Sequence, residues 1–299
     1  MVSIFRIGIL RRLESDCPRV ALSEELQADI MGPYSGHFVI AETSMSIHLR
    51  KSKDSTKARG LSLDTRATAK RSLEDQVQFA LMWLKRHSTR ATLEGMARYS
   101  IPSDHAYGVA MKDIKALGKT LGRNQPLAVA LWATGLYEAR MLASFVADPE
   151  QLTPAQMDRW CKDFDNWAFC DAMSFNLFDR TPHAWAKVAQ WSTRRDEFEK
   201  RTAFALLWSL TVHDKSAGDE LFKQGLALIE REAGDERNFV KKATNMALRA
   251  IGKRNRALNS AAVMVARRLA TSEDATARWV GKDALRELTS PAVTRRLKA

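Results

Sequence analysis

Cysteine is scarce: the three that occur, Cys17, Cys161 and Cys170, form no CxxC pair and have no HxxxH nearby. A disulfide framework and the common zinc spacings are therefore not expected, and a reducing compartment, the cytoplasm, is the simplest home. Glycine and proline are also few, 14 and 8 in 299 residues, which excludes a turn-rich all-β protein. No apolar run approaches the roughly 20 residues of a membrane-spanning helix, so no membrane partner is expected. The apolar start from Met1 to Leu10 is interrupted by Arg6 and lacks a small-residue cleavage site, which argues against a secretory signal. The GxSxG, HExxH, P-loop and GxGxxG spacings are all missing. His87, His105, His183 and His213 are scattered, and Cys170 beside Asp171 has no neighbouring histidine to act as its base.

What is present is positive charge. Lys and Arg number 47 against 35 Asp and Glu, a formal net charge of +12, which makes a polyanion the default partner class. Residues 234–299 carry 15 basic and 6 acidic side chains, so most of the excess is C-terminal. In NFVKKATNMALRAIGK, Lys242, Met246, Arg249 and Lys253 recur at steps of four, three and four, which puts them on one helix face. Arg267, Arg268, Arg278 and Lys282 follow, and together such cations suit several phosphates.

Two regions differ in pattern. Residues 1–71 read as an extension, largely disordered, with a polar Ser-, Thr- and Lys-rich stretch from Ser44 to Lys70. VALSEELQADIM and GHFVIAE within it are candidates for a short helix and a short strand. From residue 72 to 299 amphipathic helices of about 12–20 residues follow one another with short turns. Thr153-Pro154-Ala155-Gln156 is a capping-box start and Thr181-Pro182 repeats the Thr-Pro signal. Gly122 ends AMKDIKALGKTLG, and Asp148-Pro149 breaks a helix carrying LWATGLYEARMLASFVA. Helices of this length without a βα alternation predict an all-α fold, an α-solenoid of HEAT-like antiparallel helix pairs.

Trp160, Trp167, Trp185, Trp191 and Trp208 fall within fifty residues, more indoles than a helical core needs, so some are expected at the surface for stacking. In DFDNWAFCDAM, Asn166 is a good N-cap, and Trp167 and Asp171 are one helical turn apart, which sets an indole and a carboxylate on one face.

MARYSIPSDHAYGVAMKDIKALGK, LWATGLYEARMLA, DNWAFCD, EKRTAFALLWSL, KKATNMALRAIGK and RWVGKDALREL together resemble, in order and spacing, the AlkD-like DNA alkylation repair glycosylases of the HEAT-repeat type. The resemblance runs from about Gln76 to Leu288. It implies a C-shaped stack whose concave face holds duplex DNA, and hydrolysis of the N-glycosidic bond of cationic N-alkylated purines without base extrusion. It further implies that Trp167 and Asp171 are the active-site pair, that Arg201 contacts the DNA backbone, that Arg249 is the Arg three residues after a second active-site Trp, and that Tyr99 lies at the DNA surface; beside it, the basic face with Lys242, Arg249 and Lys253 is suited to hold phosphates together with Arg201. Where the family has a second active-site Trp, this chain has Met246, which keeps the apolar contact with the lesion but loses the ring's attraction for a cation. The chemistry implied needs no metal or organic cofactor, and a monomer is the expected state. The alternative reading is a non-catalytic HEAT-type module that binds branched or damaged DNA.

Overall fold

The computed structural model describes residues 72–297. The expected N-terminal extension, with its short helix and strand, lies outside the described residues. The described chain runs through α1 (Leu73–Arg86), α2 (Arg90–Arg98), α3 (Met111–Leu121), α4 (Gln125–Ala133), α5 (Tyr137–Val146), α6 (Pro154–Lys162), α7 (Trp167–Asn176), a 3-10 turn (Phe178–Arg180), α8 (Ala184–Trp191), α9 (Glu197–His213), α10 (Asp219–Glu232), α11 (Asn238–Gly252), α12 (Arg256–Ala270), α13 (Ala275–Leu288) and α14 (Pro291–Arg296). No strand occurs among the described residues.

The start signals act through backbone N–H groups that a helix cannot satisfy internally. Thr153 accepts from the Gln156 N–H at 3.2 Å with Pro154 in the first turn, and Asn166 accepts from both Ala168 and Phe169 to start α7. The reciprocal half of the Thr153 box is not formed; the Gln156 side chain instead accepts from Gln125, 2.9 Å away. Two expectations need correction. The single helix over LWATGLYEARMLASFVA is two, α4 and α5, because Gly135 takes φ +72° and turns the chain between them. Thr181-Pro182 does not open a helix: the Thr181 hydroxyl donates back to the Phe178 carbonyl, closing the 3-10 turn, and α8 starts at Ala184 without a side-chain cap.

Connections of three to five residues join α4 to α5, α6 to α7, α8 to α9, α10 to α11 and α12 to α13. Links that short reverse the chain and make antiparallel pairs. The second helices of the pairs pack on one another in sequence, α5 on α7, α7 on α9, α9 on α11 and α11 on α13, with α3 ahead of them. The first helices form the other row, where α8 packs on α10 and α10 on α12. The core lies between the rows and is continuous, from Leu84 through Leu131, Phe178, Phe204 and Ile251 to Leu288. Each fully buried side chain of this size contributes roughly 1.5–3 kcal/mol. This is the predicted all-α solenoid of helix pairs.

The irregular segment between α2 and α3 is fastened by one carboxylate. Glu138, fully buried in the first turn of α5, accepts from the backbone N–H groups of Tyr107, Gly108 and Val109 at 2.9, 2.7 and 3.2 Å. Gly108 holds φ +79° there, and a Cβ would meet the Thr89 carbonyl oxygen at 2.7 Å. Glu138→Ala orphans three buried donors, and its urea midpoint is expected to fall by the equivalent of about 3 kcal/mol or more. Glu138→Gln, which keeps acceptor capacity, falls by less; equal losses for the two variants refute this account of the fastening.

Candidate nucleic-acid interface and active site

Trp167 and Asp171 occupy the N-terminal half of α7, in the second row, and both are half-buried. Asn166 fixes where α7 begins and therefore which face the pair shares. The Trp167 indole N–H donates to the Tyr99 carbonyl at 2.7 Å, bonding the site to the end of α2. Tyr99 itself is 46% exposed, and Ser100 after it holds φ 54°, a left-handed conformation uncommon outside glycine. The structure thus brings Tyr99, Trp167 and Asp171 together.

Arg201, which the resemblance places at the DNA backbone, is tied into the protein itself. Its side chain is only 4% exposed and donates from Nη2 to Asp171 Oδ1 at 2.8 Å and from Nη1 to the Phe239 carbonyl at 3.0 Å. The guanidinium lies 6.0 Å from the Trp167 ring centroid, and its Nε is buried without a protein partner. A group so enclosed and so engaged holds the carboxylate in place. Asp171 Oδ2 receives no hydrogen bond among the described residues. Burial raises the Asp171 carboxyl above its ordinary value of 3.8, and the charge and hydrogen bond of Arg201 oppose that rise.

The α11 face follows one helix on. Lys242 is half-buried and its ammonium is pushed down, first by burial and then by repulsion from Arg201 and Lys241. Met246 is half-buried one turn later. Arg249 and Lys253 share one counter-charge, Glu287 of α13, with Lys253 2.6 Å from it. The Glu287 carboxyl is held below the ordinary range because these two cations outweigh its burial. The surrounding basic residues divide as well. Arg268 lies in the first row, bound through two nitrogens to Glu230 of α10 at 2.6 and 2.8 Å. Arg278 caps the turn before α13 by donating to the Ser272 and Glu273 carbonyls.

The tryptophan cluster is mostly structural. Trp160 and Trp191 are buried, and Trp185 donates to Asp214 at 3.1 Å. The exposed indole is Trp279 on α13, 42% accessible, with the Lys241 ammonium 5.2 Å from its centroid. Its RWVGK context gave no sign of exposure, since its neighbour Val280 is buried. Cys170 is fully buried and burial pushes its thiol up to about 12, which leaves no thiolate for nucleophilic attack. No group of three metal-ligating side chains exists among the described residues. No described helix is long and apolar enough to cross a membrane.

Comparison with known proteins agrees with the fold. A model of a family described as DNA alkylation repair enzyme matches residues 81–288. Among solved structures, a protein described as belonging to a new family related to the HEAT-like repeat DNA glycosylases, with affinity for branched DNA structures, superimposes with a TM-score of 0.62. It shares 20% identity, and the match covers 74% of this chain and 95% of that one. No curated protein sequence matches.

Removing the guanidinium under Asp171 has a defined sign. Arg201→Leu is expected to raise the Asp171 carboxyl further, since the opposing charge is gone and burial remains, and to destabilise the fold by about 3–5 kcal/mol. Carboxyl carbon NMR titration reads the first effect; an Asp171 titration unchanged in Arg201→Leu contradicts the pairing.

Proposed function

The chain belongs to the DNA alkylation repair enzyme family, and on that premise we propose that it is a glycosylase that hydrolyses the N-glycosidic bond of cationic N-alkylated purines in duplex DNA. Lesions of the 3-methyladenine and 7-methylguanine type are the substrates, attacked without base extrusion by a monomer in the cytoplasm. The observation that carries this reading is the Asp171 carboxylate, anchored through Oδ1 by Arg201 and one turn from Trp167.

The lesion base is already a cation, so its glycosidic bond is weak. Departure of the base moves positive charge to the deoxyribose, giving an oxocarbenium-like transition state. A carboxylate held about 4 Å from that centre, at an effective dielectric near 20, contributes on the order of 4 kcal/mol, roughly a thousandfold in rate. Oδ2 faces the sugar and orients the attacking water, while Arg201 keeps the carboxylate from swinging away and acts as a positioning residue. The Trp167 ring, tethered by its N–H, offers its π face to the cationic base or packs on the sugar. Lys242, Arg249 and Lys253 meet phosphates, the last two by exchanging part of their bond to Glu287. Tyr99 and Met246 border the lesion nucleotide. Met246 forgoes a ring's cation attraction of about 0.5–2 kcal/mol, which lowers the rate several-fold to about thirtyfold without abolishing it. No metal or organic cofactor enters this chemistry.

Met246 also favours a second reading, a non-catalytic module for branched or damaged DNA; affinity for branched DNA structures is what is described for the structural neighbour.

Single-turnover release of 7-methylguanine from duplex DNA separates the two readings. Wild-type protein is expected to release base, Asp171→Asn to lose about a thousandfold, and Met246→Trp to gain several-fold. DNA binding without release by the wild type, or undiminished release by Asp171→Asn, refutes the catalytic reading. The rate requires the ionised carboxylate, and its pKa is raised. Release should therefore decline, as pH falls, at a pH above the ordinary aspartate value of 3.8.

A further inference from the structure

A cleft of about 510 Å³ opens between α3 and α5, lined by Lys112, Lys115, Lys119 and Arg123 around the Phe145 ring. None of the site residues borders it. The three lysines recur at steps of three and four, so they share one face of α3 over about 10 Å along its axis. All three are exposed, and none has an ion pair or hydrogen bond among the described residues.

The two arginines nearby are held close by backbone, not by carboxylates alone. Arg123 donates to the Ala147 carbonyl, and Arg180 donates to those of Phe175 and Asn176. Partial burial and the charge of Arg180 both push the Arg123 guanidinium down, against a smaller opposing effect of Asp148. Asp179 lies 3.9 Å from Arg180, but its carboxylate is already bonded to His213. These five cations thus meet three carboxylates, Asp113 on α3 itself, Asp148 and Asp179, the last of them engaged by His213.

A solvated helix face with cations compensating the helix dipole does not explain this arrangement. Compensation places cations in the last turn, whereas Lys112 and Lys115 sit toward the positive N-terminal end of α3, where a cation is unfavourable. Asp113 is the one acidic residue of that turn. The cleft walls are also fixed. A Cβ on Gly118 would meet the Phe145 Cβ at 2.6 Å, so α3 and α5 touch there, and Gly122, at φ +70°, ends α3 with no side chain in the opening.

We infer that Lys112, Lys115, Lys119 and Arg123 form a second phosphate-binding surface that grips duplex DNA away from the nucleotide under repair. The inference rests on the reading that this chain binds DNA, and not on its catalysing base release. One packed helix, α5, separates α3 from α7 along the second row, so two interhelix steps of the usual 8–10 Å set them about 16–20 Å apart. That is roughly half of a 34–36 Å duplex turn, so one duplex of modest length reaches both places.

The test compares binding of the full chain to an unmodified linear duplex of three turns over a range of salt concentrations. Lys112→Ala/Lys115→Ala/Lys119→Ala should flatten the slope of log K against log salt by about 2–3. A control lacking three exposed lysines elsewhere, Lys85→Ala/Lys162→Ala/Lys223→Ala, should change it by well under one. The substitutions are exposed and favour helix, so folding is preserved. A slope equal to wild type, or an equal change in the control, overturns the inference. Because the duplex carries no lesion, a wild type that releases no base leaves this result standing while defeating the glycosylase reading.

Discussion

Register between successive helix pairs is the constraint on which the rest depends. Polar partners repeatedly lie about one repeat apart in sequence: Asp171 with Arg201, Gln125 with Gln156, Trp132 with Asp163, Trp191 with Asp158, Lys200 with Glu232. Apolar packing between rows tolerates a small slide of one pair on the next. A buried guanidinium facing a carboxylate at 2.8 Å does not, because a slip strands both charges. The same bonds that lock neighbouring repeats therefore aim the side chains of the second row, and the carboxylate of the site is one of those locks.

This double use of charge changes what the net positive charge means. Arg201, Arg249, Arg254, Arg268 and Arg278 all donate to acceptors within the protein, and Arg254 alone reaches the carbonyls of Thr211, Asp214 and Ala217. Planar guanidinium forks suit such multiple backbone contacts better than ammonium groups. Among the described residues, the cluster of lysines without internal partners on α3 is far in sequence from the C-terminal segment where the basic residues concentrate.

Element type and most boundaries were legible in the sequence because they are set locally. Thr153, Asn166 and Gly122 act within three or four residues of themselves, and so did the one-turn spacing that put Trp167 and Asp171 on a common face. The missed features depend on contacts a repeat or more away. Gly135 could turn the chain only because α4 and α5 pack on each other, and nothing local distinguished it from a tolerated helix glycine. The burial of Arg201 followed from Asp171 and Phe239, 30 and 38 residues off, and a thirty-residue repeat length, had it been visible as self-similarity, was the signal that pairs them. Trp279 was overlooked because the aromatic density lay elsewhere.

The bond from the Trp167 indole to the Tyr99 carbonyl bridges 68 residues, about twice the reach of the links between adjacent pairs. A stack whose contacts are nearest-neighbour can grow from any pair outward, each step closing a short loop. The indole tether closes a longer one and requires the pairs between to be docked already. The position of the Trp167 ring is thus coupled to the docking of the N-terminal half of the stack. A chain that has folded its middle repeats but not docked α2 would carry the carboxylate without the ring beside it held in place.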